Sequence, residues 1–141
     1  MPHTFEKNSI SAETAQRMID AGKRRAQEIG QPMVIAIVDE SGVLKALLRM
    51  DLAPLLSIQV AQDKAYTAAG FGFSTDEWHN FIKNDPPLAA GATSGIDRLV
   101  IFGGGYPIKV GDRIVGGIGV SGGHYTQDMD VARAALSALG S

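Results

Sequence analysis

Between Ser11 and Gly30, Ala15, Met18, Ile19, Gly22, Ala26 and Ile29 recur at the three-and-four spacing of one helical face. Ser11 stands where an N-cap belongs, Lys23, Arg24 and Arg25 lie toward the far end, and Gly30 followed by Pro32 stops the element. The pattern then changes. Met33 to Val38 is an unbroken apolar run rich in β-branched residues and predicts a strand; Asp39-Glu40-Ser41-Gly42 is a turn, and Val43 to Leu48 is the returning strand. Pro54 opens a second helix with Ile58, Ala61, Ala65 and Ala68 on its apolar side, as far as Gly70. Ser74-Thr75-Asp76-Glu77 has the form of a capping box and starts a short third helix carrying Trp78, His79, Phe81 and Ile82, which Asp85-Pro86-Pro87 ends.

In the last third, Leu99 to Phe102 reads as a strand, followed by Gly103-Gly104-Gly105. Tyr106 to Val110 and Arg113 to Val120 form a hairpin joined at Gly111-Asp112. A final helix runs from about Thr126 to Leu139, with Met129, Ala132, Leu136 and Leu139 near one face. The order is helix, two strands, helices, three strands, helix. Tight turns join the strands, so the sheet is expected to be largely antiparallel, with helices covering both faces. The class is therefore α/β in the α+β sense. No repeat or linker divides the chain, and residues 1–141 are expected to form a single domain.

An apolar fraction of 45% is enough for a core, and a formal net charge of −2 gives no general pull toward nucleic acid or an anionic membrane. The absence of cysteine excludes disulfides, thiolate metal sites and a cysteine nucleophile. No apolar run approaches the ~20 residues of a membrane span, and MPHTFEKNSIS has no apolar core of a signal peptide. A soluble, cytoplasmic protein without nucleic-acid or membrane partners is expected. No HExxH, CxxC or EF-hand pattern occurs, so no dedicated metal site is expected.

Gly117-x-Gly119-x-x-Gly122 spells the dinucleotide-binding pattern, but too few residues follow for the second strand and the ribose-binding acid that such a site requires. Gly117 and Gly119 lie two apart within a strand and share a face. They leave either a shallow gap or room for a helix or neighbouring subunit to approach. Gly122 and Gly123 precede a helix, where their N–H groups could meet an anion, although Asp128 in the first turn competes for the same field.

Three segments carry a family resemblance: MVIAIVDESGVLKALLRMD at residues 33–51, Lys64-Ala65, and VGGIGVSGGHYTQD at residues 115–128. In this order they resemble the GlcG/HbpS family, which is also similar to the C-terminal domain of PduO cobalamin adenosyltransferases. The resemblance runs from about residue 10 to the end. It implies a profilin-like three-layer α/β/α fold with a five-stranded antiparallel sheet, and a homo-oligomer. It also implies binding of haem or a related tetrapyrrole in some members, while others accompany genes of small-acid or diol catabolism.

Haem needs an apolar slot, an axial ligand and cations for its propionates. His124, in the signature loop, is the leading candidate for a ligand or acid/base role, with His79 beside Trp78 the second; each has the alternative of a capping or solvated histidine. Arg49 and Asp51 end the second strand on one side. They are either a structural ion pair or a grip on a carboxylate, Arg49 holding it and Asp51 orienting the guanidinium. Lys64 lies among alanines; it is either solvated or directed into a pocket where desolvation would fit it to base or anion-binding work. Gly122, Gly123 and Tyr125 complete the expected ligand contacts. Three readings follow: a structural or interaction subunit whose glycines serve only subunit packing, a small-ligand protein for haem or a tetrapyrrole, or a cofactor-independent isomerase or lyase. The latter would act on a small oxo- or hydroxy-acid, with Arg49 binding the carboxylate and Lys64 or His124 moving the proton.

Overall fold

The computed structural model describes residues 2–140. Helix α1, Ala12–Ile29, starts where Ser11 accepts a hydrogen bond from the Thr14 N–H and ends at Gly30, whose φ of 70° is the left-handed C-cap expected of glycine. Strands β1 (Val34–Asp39) and β2 (Leu44–Arg49) follow. Next come α2 (Ser57–Phe71), α3 (Thr75–Ile82), α4 (Pro86–Gly95), β3 (Gly105–Val110), β4 (Arg113–Ser121) and α5 (Tyr125–Ser137).

The strands form one antiparallel sheet in the order β2-β1-β4-β3. Alternation in β1 splits its side chains between the two faces. Ile35 and Ile37 join Met18 and Ile19 of α1 and Val131 and Ala135 of α5 in the main core, while Val34 and Ala36 meet Ala61 of α2 on the other side. The architecture is thus α/β with helices on both faces of an antiparallel sheet.

The sheet has four strands, not the five expected. Leu99–Phe102 takes no place in it because its backbone is bonded elsewhere: the Thr67 hydroxyl donates to the Arg98 carbonyl and accepts from the Val100 N–H, at 3.0 and 3.1 Å. Leu99 and Ile101 then pack against Trp78, Ile82 and Ala92 in a satellite core, not on a neighbouring strand. Asp85-Pro86-Pro87 both follows α3 and begins α4. Asp85 accepts from the Leu88 N–H, and proline occupies the first turn, where no N–H is needed. Ser74 is the N-cap of α3, but its side chain makes no capping hydrogen bond. The buried face of α5 is Asp128, Val131, Ala132 and Ala135; Met129 and Leu136 are only half-buried.

The strand glycines decide how close α2 comes. A Cβ on Gly119 would overlap the Ala61 carbonyl oxygen, one on Gly117 the Ala65 carbonyl oxygen, and one on Gly105 would sit 2.6 Å from the Lys64 carbonyl oxygen. The alanine side of α2 therefore lies directly on the sheet backbone, and the gap suggested by the two β4 glycines is filled by this helix. Among the described residues no helix is long and apolar enough to cross a membrane.

Candidate functional site

The close seating of α2 carries Lys64 inward. Its side chain is fully buried, and its ammonium donates to the Val120 carbonyl and to Asp128 Oδ2, both at 2.8 Å. Its remaining direction is toward the ring of Phe102, whose centroid lies 5.0 Å away. A Cβ on Gly104 would come within 2.7 Å of the ammonium nitrogen, so glycine at that position makes the room Lys64 occupies. Asp128 is equally enclosed, and its Oδ1 accepts from the Gly123 N–H at 3.0 Å. Removal from water outweighs the mutual attraction of the pair. Burial pushes the Lys64 ammonium below the usual lysine range and the Asp128 carboxyl above the usual aspartate range, while each partner opposes the other's shift.

Above this pair, between the first turns of α3 and α5, lies a cavity of about 370 Å³ lined by Asp76, His79, Ile101, Phe102, Gly103 and Tyr125. That volume is at the lower end of the range for small-molecule sites. Phe102 forms part of its wall, is half exposed, and is also the ring that faces the Lys64 ammonium. Asp76 Oδ1 is buried without a hydrogen-bond partner among the described residues. His79 is exposed on α3, and His124 stacks on Tyr125 with ring centroids 4.1 Å apart.

A larger cavity of about 640 Å³ lies between the N-terminal segment and β3, with Lys7, Arg17 and Lys109 on its walls. None of the residues expected at a site lines it, and it has no aromatic wall.

His124 is the N-cap of α5. Its Nδ1 accepts from the Thr126 N–H at 3.3 Å and faces the Thr126 hydroxyl at 2.9 Å, while Gln127 closes a reciprocal capping box. The ring is exposed, leaving Nε2 as the nitrogen not committed to the cap. The Gly123 N–H is taken by Asp128 and the His124 N–H by Gln127, so the chain's own side chains fill the anion position at this helix start. The Gly122 carbonyl accepts from Gln31. Arg49 and Asp51 are exposed at the far end of the edge strand β2, and among the described residues no ion pair joins them. Arg49 is not on the cavity wall.

The structure thus brings together His79, Tyr125 and, through stacking, His124, with Lys64 beneath. It leaves Arg49 and Asp51 apart. Phe102, Asp76 and Asp128 are additions to the expected set. Asp128 was legible only as a charge competing at a helix start, and Phe102 was hidden by the expectation that its segment is a strand.

A family described as haem-degrading, HbpS-like proteins matches residues 10–137. A 15.0 kDa protein of Citrobacter freundii, from the dhaT-dhaS intergenic region, is 34% identical over 128 residues, covering 91% of this chain and 90% of that protein. The corrinoid adenosyltransferase PduO of the same organism is 34% identical over 131 residues, covering 93% of this chain but 39% of its own length. The chain therefore spans about two fifths of that relative. The crystal structure of a PduOC:heme complex superposes with a TM-score of 0.87 at 34% identity, covering 94% of this chain and 96% of the other.

Proposed function

We propose, from the premise that the chain belongs to the HbpS-like family, that it is a small-ligand protein whose ligand is haem or a related tetrapyrrole. The observation that carries this reading is the cavity between α3 and α5, with Phe102, Tyr125 and His79 on its walls and His124 stacked on Tyr125. The haem-bound PduOC relative, matched along nearly its whole length, supports the same ligand.

The donor set fits that group. His79 on the wall, and His124, stacked on the wall residue Tyr125 with its Nε2 uncommitted to the cap, are imidazoles of the kind that ligate haem iron, while Phe102 and Tyr125 are aromatic side chains suited to a flat macrocycle. The wall carries no lysine or arginine and the orphaned Asp76 oxygen is a hydrogen-bond acceptor, so these residues fit the iron and the ring of the group and not its propionates. The iron would supply redox and oxygen chemistry when bound; the chain's own contribution is to hold the ring, exclude water on the Phe102 side and present an imidazole.

Titrating the purified protein with haem tests this. A saturable Soret shift is expected, weakened in His79→Ala or His124→Ala. A spectrum identical to free haem at micromolar concentrations would remove the reading. His124→Ala also loses an N-cap, so its fold is checked by circular dichroism.

We further infer that the protein is a homo-oligomer in the cytoplasm. Leu52, Leu55 and Leu56 stand 93%, 77% and 80% exposed on the segment between β2 and α2, and a second copy would cover them. Native mass spectrometry reports the subunit count. A second reading, proton transfer on a small oxo- or hydroxy-acid, has in its favour the buried Lys64–Asp128 pair next to the cavity. It no longer has Arg49 available as the carboxylate anchor, since that residue lies off the cavity wall.

A further inference from the structure

Beneath the cavity is an arrangement that haem binding does not use. Lys64 Nζ has two fixed acceptors, the Val120 carbonyl and Asp128, and its third side faces Phe102. Phe102 is 48% exposed, on a segment outside the sheet, so its ring has solvent to rotate into. A Cβ on Gly104 would lie within 2.7 Å of the amine, so glycine there keeps its surroundings free of a side chain.

We propose that Lys64 is a latent nucleophile gated by Phe102, and that it forms an imine with a small aldehyde or ketone, 2-oxo acids included, held in the cavity lined by His79 and Tyr125. The proposal rests on the reading above only in taking this cavity as the ligand pocket; it requires no haem.

The step balances within the pair. Lys64 Nζ passes one proton to Asp128 across their 2.8 Å hydrogen bond, and the freed lone pair bonds to the carbonyl carbon while the C=O π pair moves to oxygen. The proton on Asp128 and a second proton from the nitrogen convert that oxygen to water, which leaves as the C=N bond forms. Carbonyl and ammonium become iminium and water, and Asp128 returns to carboxylate. Desolvation supports the exchange by bringing the proton affinities of the two groups together. Among the described residues, a solvated lysine such as Lys45 or Lys109 has no such partner at hydrogen-bond distance.

The test is reductive trapping. The full chain is incubated with pyruvate or butanal and sodium borohydride, and the secondary amines are located by peptide mapping. Labelling at Lys64 is expected to exceed that at Lys45 and Lys109 by about tenfold and to rise several-fold in Phe102→Ala. Trapping only with butanal would assign the pocket to aldehydes, and with both probes to carbonyl compounds including 2-oxo acids. Label spread evenly over surface lysines, or a Lys64 rate indifferent to Phe102→Ala, overturns the proposal. Lys64→Met, if folded by circular dichroism, must lose the specific label; if it does not fold, the wild-type map and Phe102→Ala decide. A haem titration on the same sample separates the two ideas, because failed trapping leaves the Soret shift intact and a missing Soret shift leaves the adduct intact.

Discussion

Replacing Asp128 by asparagine keeps the side-chain volume and deletes the charge that Lys64 faces. Lys64 is 0% exposed and Asp128 2%, so neither the surviving ammonium nor its lost partner is replaced by water. Breaking a buried pair from one side costs about 3–5 kcal/mol, because the remaining charge is left uncompensated. Lys64 keeps its bond to the Val120 carbonyl and its contact with Phe102, and it can shed its proton, so the lower figure applies: about 3 kcal/mol. With a urea m-value of about 1.5 kcal/mol/M for a domain of this size, the unfolding midpoint should fall by about 2 M with the slope unchanged. Lys64→Met should cost a similar amount, leaving Asp128 with only the Gly123 N–H. The double variant Lys64→Met/Asp128→Asn should cost well below the sum, with a coupling of at least about 2 kcal/mol, since no orphaned charge remains. An Asp128→Asn loss under about 1 kcal/mol, or strict additivity of the two single changes, would refute the view that this pair is held dry and mutually dependent.

Gly119→Ala is expected to abolish folding or lower the melting temperature sharply, because its Cβ would overlap the Ala61 carbonyl of a helix that cannot retreat without uncovering Lys64; a normal thermal melt would contradict the seating of α2. His124→Ala should cost about 0.5–2 kcal/mol through loss of the α5 cap, and His124→Ser should restore most of it without restoring any haem-dependent spectrum, which urea melts and titrations read separately. The Asp130 carboxyl is held below the usual aspartate range by its hydrogen bonds and charge contact with Arg25. Its contribution to stability is therefore fully present above about pH 4 and lost as pH falls through the folded value, so the acid-induced drop in unfolding midpoint should be shallower in Asp130→Asn.

The elements the sequence revealed most clearly are those with local signals. Ser11 and Gly30 bracket α1 because capping chemistry is written in single residues, and β1 is plain because a buried strand needs an unbroken apolar run. Leu99–Phe102 misled for the opposite reason. An apolar run states that a segment is buried, not what takes its backbone hydrogen bonds, and here those go to a threonine on a helix thirty-odd residues earlier. Asp85-Pro86-Pro87 likewise carries two messages, the end of α3 and the start of α4, and only the first is visible without knowing that Ala92 has a core to join.

The site shows the same limit in its chemistry. Lys64 stands out in sequence only as a charge among alanines, and those alanines are the reason it is buried: small residues on α2 meet Gly117 and Gly119 on β4, the helix drops onto the sheet, and the lysine goes with it. Helix and strand glycines are about fifty residues apart, so no local spacing couples them. The same approach requires a carboxylate to meet the ammonium, which fixes Asp128 inward at the start of α5 and takes the Gly123 N–H that would otherwise be open to an anion. The groups left uncommitted near the cavity are then side chains and not the glycine loop: the His124 Nε2, the Tyr125 ring and His79 on the wall. The glycine motif thus shapes the pocket indirectly, by deciding how deep one lysine is set.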